Sequence, residues 1–101
     1  MNWLLEIDTE LGRIRPGQNA GRIRTTARRI AGIALKELYS SPSDNFLQQL
    51  HSAVNDEALP DGIREAAERL AARLDANFSS PSIDPVGDAM LIVAHVKLMA
   101  D

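Results

Sequence analysis

Ile63, Ala67, Leu70, Leu74 and Phe78 return at intervals of four, three, four and four residues, the spacing that lines side chains along one face of an α-helix. The same period recurs along the chain. Trp3, Ile7, Leu11 and Ile14 keep it near the N-terminus, and Ile23, Ala27, Ile30, Ala34 and Leu38 keep it from about Ala20 to Tyr39. No stretch alternates apolar and polar residues in the way a half-buried strand does. With a single period from end to end, the chain is expected to be all-α: a compact bundle of about five helices forming one domain over residues 1–101.

Breaks between the periodic stretches divide the five helices. "RPGQ" (Arg15 to Gln18) stops the first. "SSPSD" separates the second from the third, with Ser41 placed to cap, Pro42 at the first helical position and Asp44 near the exposed amides. Phe46, Leu47, Leu50 and Val54 form the apolar stripe of the third helix. "NDEALPDG" then leads through Pro60 into a fourth helix expected to run to about Asn77, supported by Arg64–Glu68 and Glu65–Arg69 pairs four apart. "SSPSIDP" ends that helix, and Asp84–Pro85 reads as a cap followed by a first-turn proline. "YSSPS" at 39–43 returns as "FSSPS" at 78–82, but the flanking helices do not align, and two stops with the same punctuation need no common origin.

The fifth helix, Pro85 to about Ala100, is different in kind. Its apolar residues (Val86, Met90, Leu91, Ile92, Val93, Val96, Leu98, Met99) occupy nearly the whole helical circle. A helix apolar all round has to be covered all round. It is therefore either the central helix of a monomer or half buried against a second chain. Leu91, Ile92, Val93, Val96 and Met99 are the self-association candidates.

Charge is segregated. Arg13, Arg15, Arg22, Arg24, Arg28, Arg29 and Lys36 fall in a span with no acid, which leaves four of the 11 bases to face all 14 acids elsewhere. Such asymmetry concerns partners rather than fold. At 3.6 residues per turn, Arg22, Arg24, Arg28, Arg29 and Lys36 share an arc of roughly 160°. They are the partner- or nucleic-acid-binding candidates, and Gly21, Thr25 and Gly32 in the same arc leave a shallow strip for another backbone. Asp61, Glu65, Glu68 and Asp75 of the fourth helix are expected to face outward as an opposite stripe. The nearest base-stacking candidates, Tyr39 and Trp3, both lie outside the basic run, which disfavours a base-stacking platform.

No catalytic or cofactor chemistry finds a proponent. The chain has no cysteine, which removes disulfides, thiolate metal sites and thiol nucleophiles. His51 and His95 have no carboxylate or histidine three or four residues away, so no metal ligand set forms. Asp88 and His95 share a face seven apart, too far for a direct bond. Glu6 and Glu10, four apart, read as a solvated pair. Glycine and serine spacings match neither phosphate-binding loops nor a nucleophile elbow. "MNWLLEIDTE" lacks the basic start of a secretory signal, and no apolar run approaches the ~20 residues that span a bilayer. A cytoplasmic protein with no membrane role is expected.

"NAGRIRTTARRIAGIALKEL", followed by short amphipathic helices, resembles small bacterial helical proteins and, more distantly, the HEPN superfamily of helical bundles. That resemblance implies a bundle architecture and dimerisation. HEPN ribonucleases carry an arginine four to six residues before a histidine, and none stands there before His51 or His95, so that role passes to no residue here. The expected function is a non-catalytic protein-interaction or regulatory module that self-associates as a homodimer or binds a protein partner. The alternative is an RNA- or DNA-binding protein using the basic face of the second helix.

Overall fold

One long helix organises the molecule. The structure, a computed structural model, describes residues 2–72 and 83–100. These form α1 (Trp3–Leu11), α2 (Ala20–Tyr39), α3 (Phe46–Val54), α4 (Asp61–Ala71) and α5 (Pro85–Ala100), with no strand among the described residues. Each of the other four helices packs on α2. The expected all-α bundle is therefore the observed fold.

α2 can serve four neighbours because its buried face is mostly short. Ala27, Ala31 and Ala34 are fully enclosed alongside Ile30 and Leu35, and small side chains let helix axes approach closely. Gly32 extends this into steric necessity: a Cβ there would lie 2.2 Å from Cδ1 and 2.7 Å from Cβ of Phe46. The strip expected to stay open at Gly32 is thus filled by the first residue of α3. Leu50 and Ala53 of α3, Leu59 of the following turn, and Ala66, Ala67 and Leu70 of α4 complete that side of the core.

α5 lies against α2 and α4. Ala89, Ile92, Val93 and Val96 point inward and are buried. Asp88 accepts a two-pronged contact from Arg69 of α4, 3.0 Å from Nε and 2.8 Å from Nη2, which ties the two helices by a paired charge at the edge of the core. Arg69 therefore serves α5 rather than its expected partner Glu65, and Arg64 pairs with Asp61 instead of Glu68.

Helix ends follow local chemistry, with shifts from the expected boundaries. Asn2 and Asn19 cap α1 and α2 through their side chains, accepting from Leu4 and Gly21 amides. α3 starts later than "SSPSD" suggests, because Asn45 rather than Ser41 accepts from an α3 amide, that of Gln48, at 3.1 Å. Ser41 Oγ instead accepts from Ser43 N and from the buried Gln49 side chain. Asp84 caps α5 as expected, taking the Gly87 amide at 3.0 Å. Residues 12–19 leave the helical pattern at "RPGQ", where Gly17 adopts φ +78°, a left-handed turn that glycine takes without steric cost. α4 ends at Ala71, since Ala72 is already extended at φ −65°, ψ 147°. Leu74, Asp75, Phe78 and the second "SSPS" lie outside the described residues.

Candidate functional site

Angular position on α2 sorts its five cations into two groups with opposite fates. Arg24 is 9% exposed and donates from Nη2 to the Ala72 carbonyl. Arg28, half-buried, donates from Nε to Leu70 O at 2.5 Å and from Nη2 to Ala72 O at 3.0 Å. These are the orphan carbonyls that every α-helix leaves at its C-terminus. The two guanidinium groups satisfy them and sit at the negative end of the α4 dipole. Burial lowers the pKa of both, with Arg24 adding a smaller push on Arg28; arginine nevertheless stays charged at neutral pH.

The expectation that all five cations share one face open to a partner is therefore corrected at Arg24 and Arg28. That face is interrupted, because capping a neighbouring helix end is more favourable than leaving its carbonyls unpaired in a partly buried place. Lys36 is half-buried and paired with Asp44. Arg22 and Arg29 remain, and they face a different neighbourhood.

That neighbourhood is a cleft of about 550 Å³ lined by Arg13, Arg15, Gln18, Gly21, Arg22, Thr25, Thr26 and Arg29. Two arginines come from the α1–α2 connection and two from α2. The connection is braced: Gln18 donates to Arg13 O at 2.9 Å and accepts from Arg15 N at 3.1 Å, while the Arg15 guanidinium returns to Gly12 O. Beneath lies Glu10, which is 8% exposed. Its carboxylate stands 3.6 Å from Arg13 Nε and 3.5 Å from Arg29 Nη1. Glu10 is not the solvated member of a Glu6–Glu10 pair; it belongs to the buried side of α1, held there by two cations.

A second feature is the outer side of α5. Met90, Leu91, Leu98 and Met99 are 37%, 50%, 76% and 61% exposed. Of the self-association candidates, Leu91 and Met99 lie on accessible surface, whereas Ile92, Val93 and Val96 are spent on the intramolecular core. Leu98 and Met90 take their place. Gly87, Leu91, Ala94 and Leu98 follow four-three-four spacing, so large and small residues alternate along one line. α5 is thus central on one side and uncovered on the other.

The remaining candidates resolve into structural roles. Tyr39 donates its hydroxyl to Asp56 Oδ2 at 2.7 Å; burial and that bond raise the tyrosine pKa, and the same bond, with the Ala58 amide, lowers that of Asp56. Trp3 packs against the core. Neither ring lines the arginine cleft. His51 is exposed and His95 half-buried, and no group of three or more metal-ligating side chains occurs among the described residues. Asp61, Glu65 and Glu68 face outward as expected. No helix among the described residues is long and apolar enough to cross a membrane. Compared with family models, characterised proteins and solved structures, the chain finds no match.

Proposed function

We propose that this protein is a non-catalytic interaction module that self-associates through the outer side of α5. The observation that carries the reading is the line Leu91–Ala94–Leu98, with leucines 50% and 76% exposed on a helix whose other side is core. Large apolar groups aligned on one rigid element mark an association surface more often than scattered ones do. The line is also nearly symmetric about its middle. Two antiparallel copies related by a twofold axis set each leucine pair about the partner's small residue, a self-complementary, isologous arrangement.

Magnitudes fix how the association must be sought. Fully burying a leucine contributes about 1.5–3 kcal/mol. Scaled by their exposure, Leu91 and Leu98 from two copies contribute roughly 4–8 kcal/mol, against an association cost of about 4–15 kcal/mol. Met90 and Met99 add to the favourable side. The dimer is accordingly weak, and sedimentation velocity over a concentration series reaching the high micromolar range is the assay. Wild type gains mass with concentration, and the gain persists at high salt because apolar burial is not screened. Leu91→Glu combined with Leu98→Glu keeps the protein monomeric with its denaturation midpoint unchanged. Val93→Glu does not serve, since Val93 is inside the monomer. Monomeric wild type throughout the series refutes the proposal.

A further inference from the structure

We infer that the cleft between the α1–α2 connection and the first turns of α2 binds a small phosphate-bearing ligand, with an organic diphosphate the best match. Four guanidinium groups, from Arg13, Arg15, Arg22 and Arg29, line a single concavity of about 550 Å³. That volume falls within the roughly 300–1,000 Å³ typical of small-molecule sites. Guanidinium is the group best matched to phosphate oxygens, through its planar fork of donors.

The charge is in excess and held in place. Glu10 contacts Arg13 and Arg29 from below, so one carboxylate faces four arginines and the cleft keeps a surplus of three positive charges. A diphosphate monoester near neutral pH carries a matching number of negative charges. Like charges gathered this closely are tolerated because Arg13, Arg15 and Arg22 remain solvated and Glu10 holds two of the four. An anion replacing that solvent gains from all four. Gln18, bonded to both Arg13 and Arg15 backbones, fixes the connection that carries half of the donors, so the ordering cost of binding falls on the arginine side chains rather than on that backbone. The positive end of the α2 dipole adds to the same field.

Shape favours a compact ligand over a nucleic-acid strand. Arg24 and Arg28 are drawn away to the carbonyls of Leu70 and Ala72, and Lys36 is paired with Asp44. Among the described residues, the α2 cations that remain, Arg22 and Arg29, end in one pocket rather than along a continuous track for successive phosphates. Among the described residues no aromatic ring lines the cleft to stack a base, and the protein as a whole carries a net charge of −3.

Isothermal titration of the intact chain with inorganic pyrophosphate, inorganic phosphate and a short single-stranded oligonucleotide tests the inference. Pyrophosphate saturates at one per chain, binds more tightly than phosphate, and weakens as salt rises. Arg22→Glu weakens it by about 30-fold or more, as expected from losing a charge-assisted contact and reversing its sign. Lys97→Glu makes the same charge change at an exposed α5 position that does not line the cleft, and weakens binding far less than Arg22→Glu does. Arg22 is exposed, so its variant keeps the wild-type denaturation midpoint; Arg15→Glu gives a second reading of the same contact set. Absence of pyrophosphate binding overturns the inference, as does pyrophosphate binding that survives both arginine variants. Oligonucleotide binding that pyrophosphate does not compete away overturns it in favour of a nucleic-acid surface.

Discussion

Replacing Arg28 by methionine separates the capping cations of α2 from exposed Arg22. Methionine keeps most of the apolar stem, so the change removes chiefly the guanidinium and its bonds. Arg28 makes two good bonds to α4 carbonyls, at 2.5 and 3.0 Å. A hydrogen bond from a charged donor contributes about 1.5–3 kcal/mol, and a cation at a helix C-terminus about 0.3–1 kcal/mol. Because Arg28 is only half-buried, water restores part of this to the freed carbonyls, and Arg24 still holds Ala72. A net loss of about 2 kcal/mol follows. For a domain of this length that lowers Tm by roughly 8–16 °C. Urea denaturation followed by far-ultraviolet circular dichroism measures it directly, with the midpoint shifted and the slope unchanged. Arg22→Met, made on the same helix at an exposed position, stays within about 0.5 kcal/mol of wild type. If Arg28→Met is equally silent, or Arg22→Met equally costly, the separation of capping Arg28 from exposed Arg22 is wrong.

Two further perturbations read other parts of the structure. Gly32→Ala gains about 1 kcal/mol of helix propensity but drives a methyl into Phe46 near its Cβ, which cannot swing aside. Overpacking of about 1–3 kcal/mol outweighs the gain, so the midpoint falls, whereas Gly62→Ala, with nothing within 4 Å, leaves it unchanged or raises it. Tyr39→Phe destabilises at neutral pH by removing the bond to Asp56. Because the folded-state pKa of Asp56 is depressed, that stabilisation is present above the ordinary carboxylate range and fades as pH falls through the lowered value. The raised tyrosine pKa likewise gives stability that is complete below the ordinary phenol value and is lost as pH rises past it. Midpoints of wild type and variant measured across pH should therefore converge in acid, and a gap that stays constant there refutes the assignment.

Apolar spacing identifies α1 to α4, since burying a stripe is what makes each of them form, and Asp84–Pro85 marks where α5 begins. The spacing also marks α5 as exceptional, because a helix with hydrocarbon on every side needs two neighbours. Spacing does not show which side the chain itself covers. Ile92, Val93 and Val96 are inside while Leu91 and Leu98 are outside, a division set by where α2 and α4 lie. The fate of Arg24 is partly written in its position. It stands three, seven and eleven residues before Ala27, Ala31 and Leu35, on the enclosed face rather than beside it. Glu10, likewise, falls three after Ile7 and four before Ile14, within the α1 stripe. Arg13 and Arg15 escape a search along helices because they sit in the connection, where no period operates. Their convergence with Arg22 and Arg29 depends on how that connection folds back.

The end of α4 is imported rather than local. Its apolar spacing continues past Ala71 with no glycine or asparagine at the stop, yet the backbone turns extended at Ala72, where guanidinium groups from more than forty residues upstream take the last carbonyls. Cut out as a peptide, the same segment has no such terminator, and its helical boundary drifts with solvent and temperature. In the intact chain, deciding where α4 finishes and docking it on α2 are therefore a single event, so length and placement of that helix are gained or lost together.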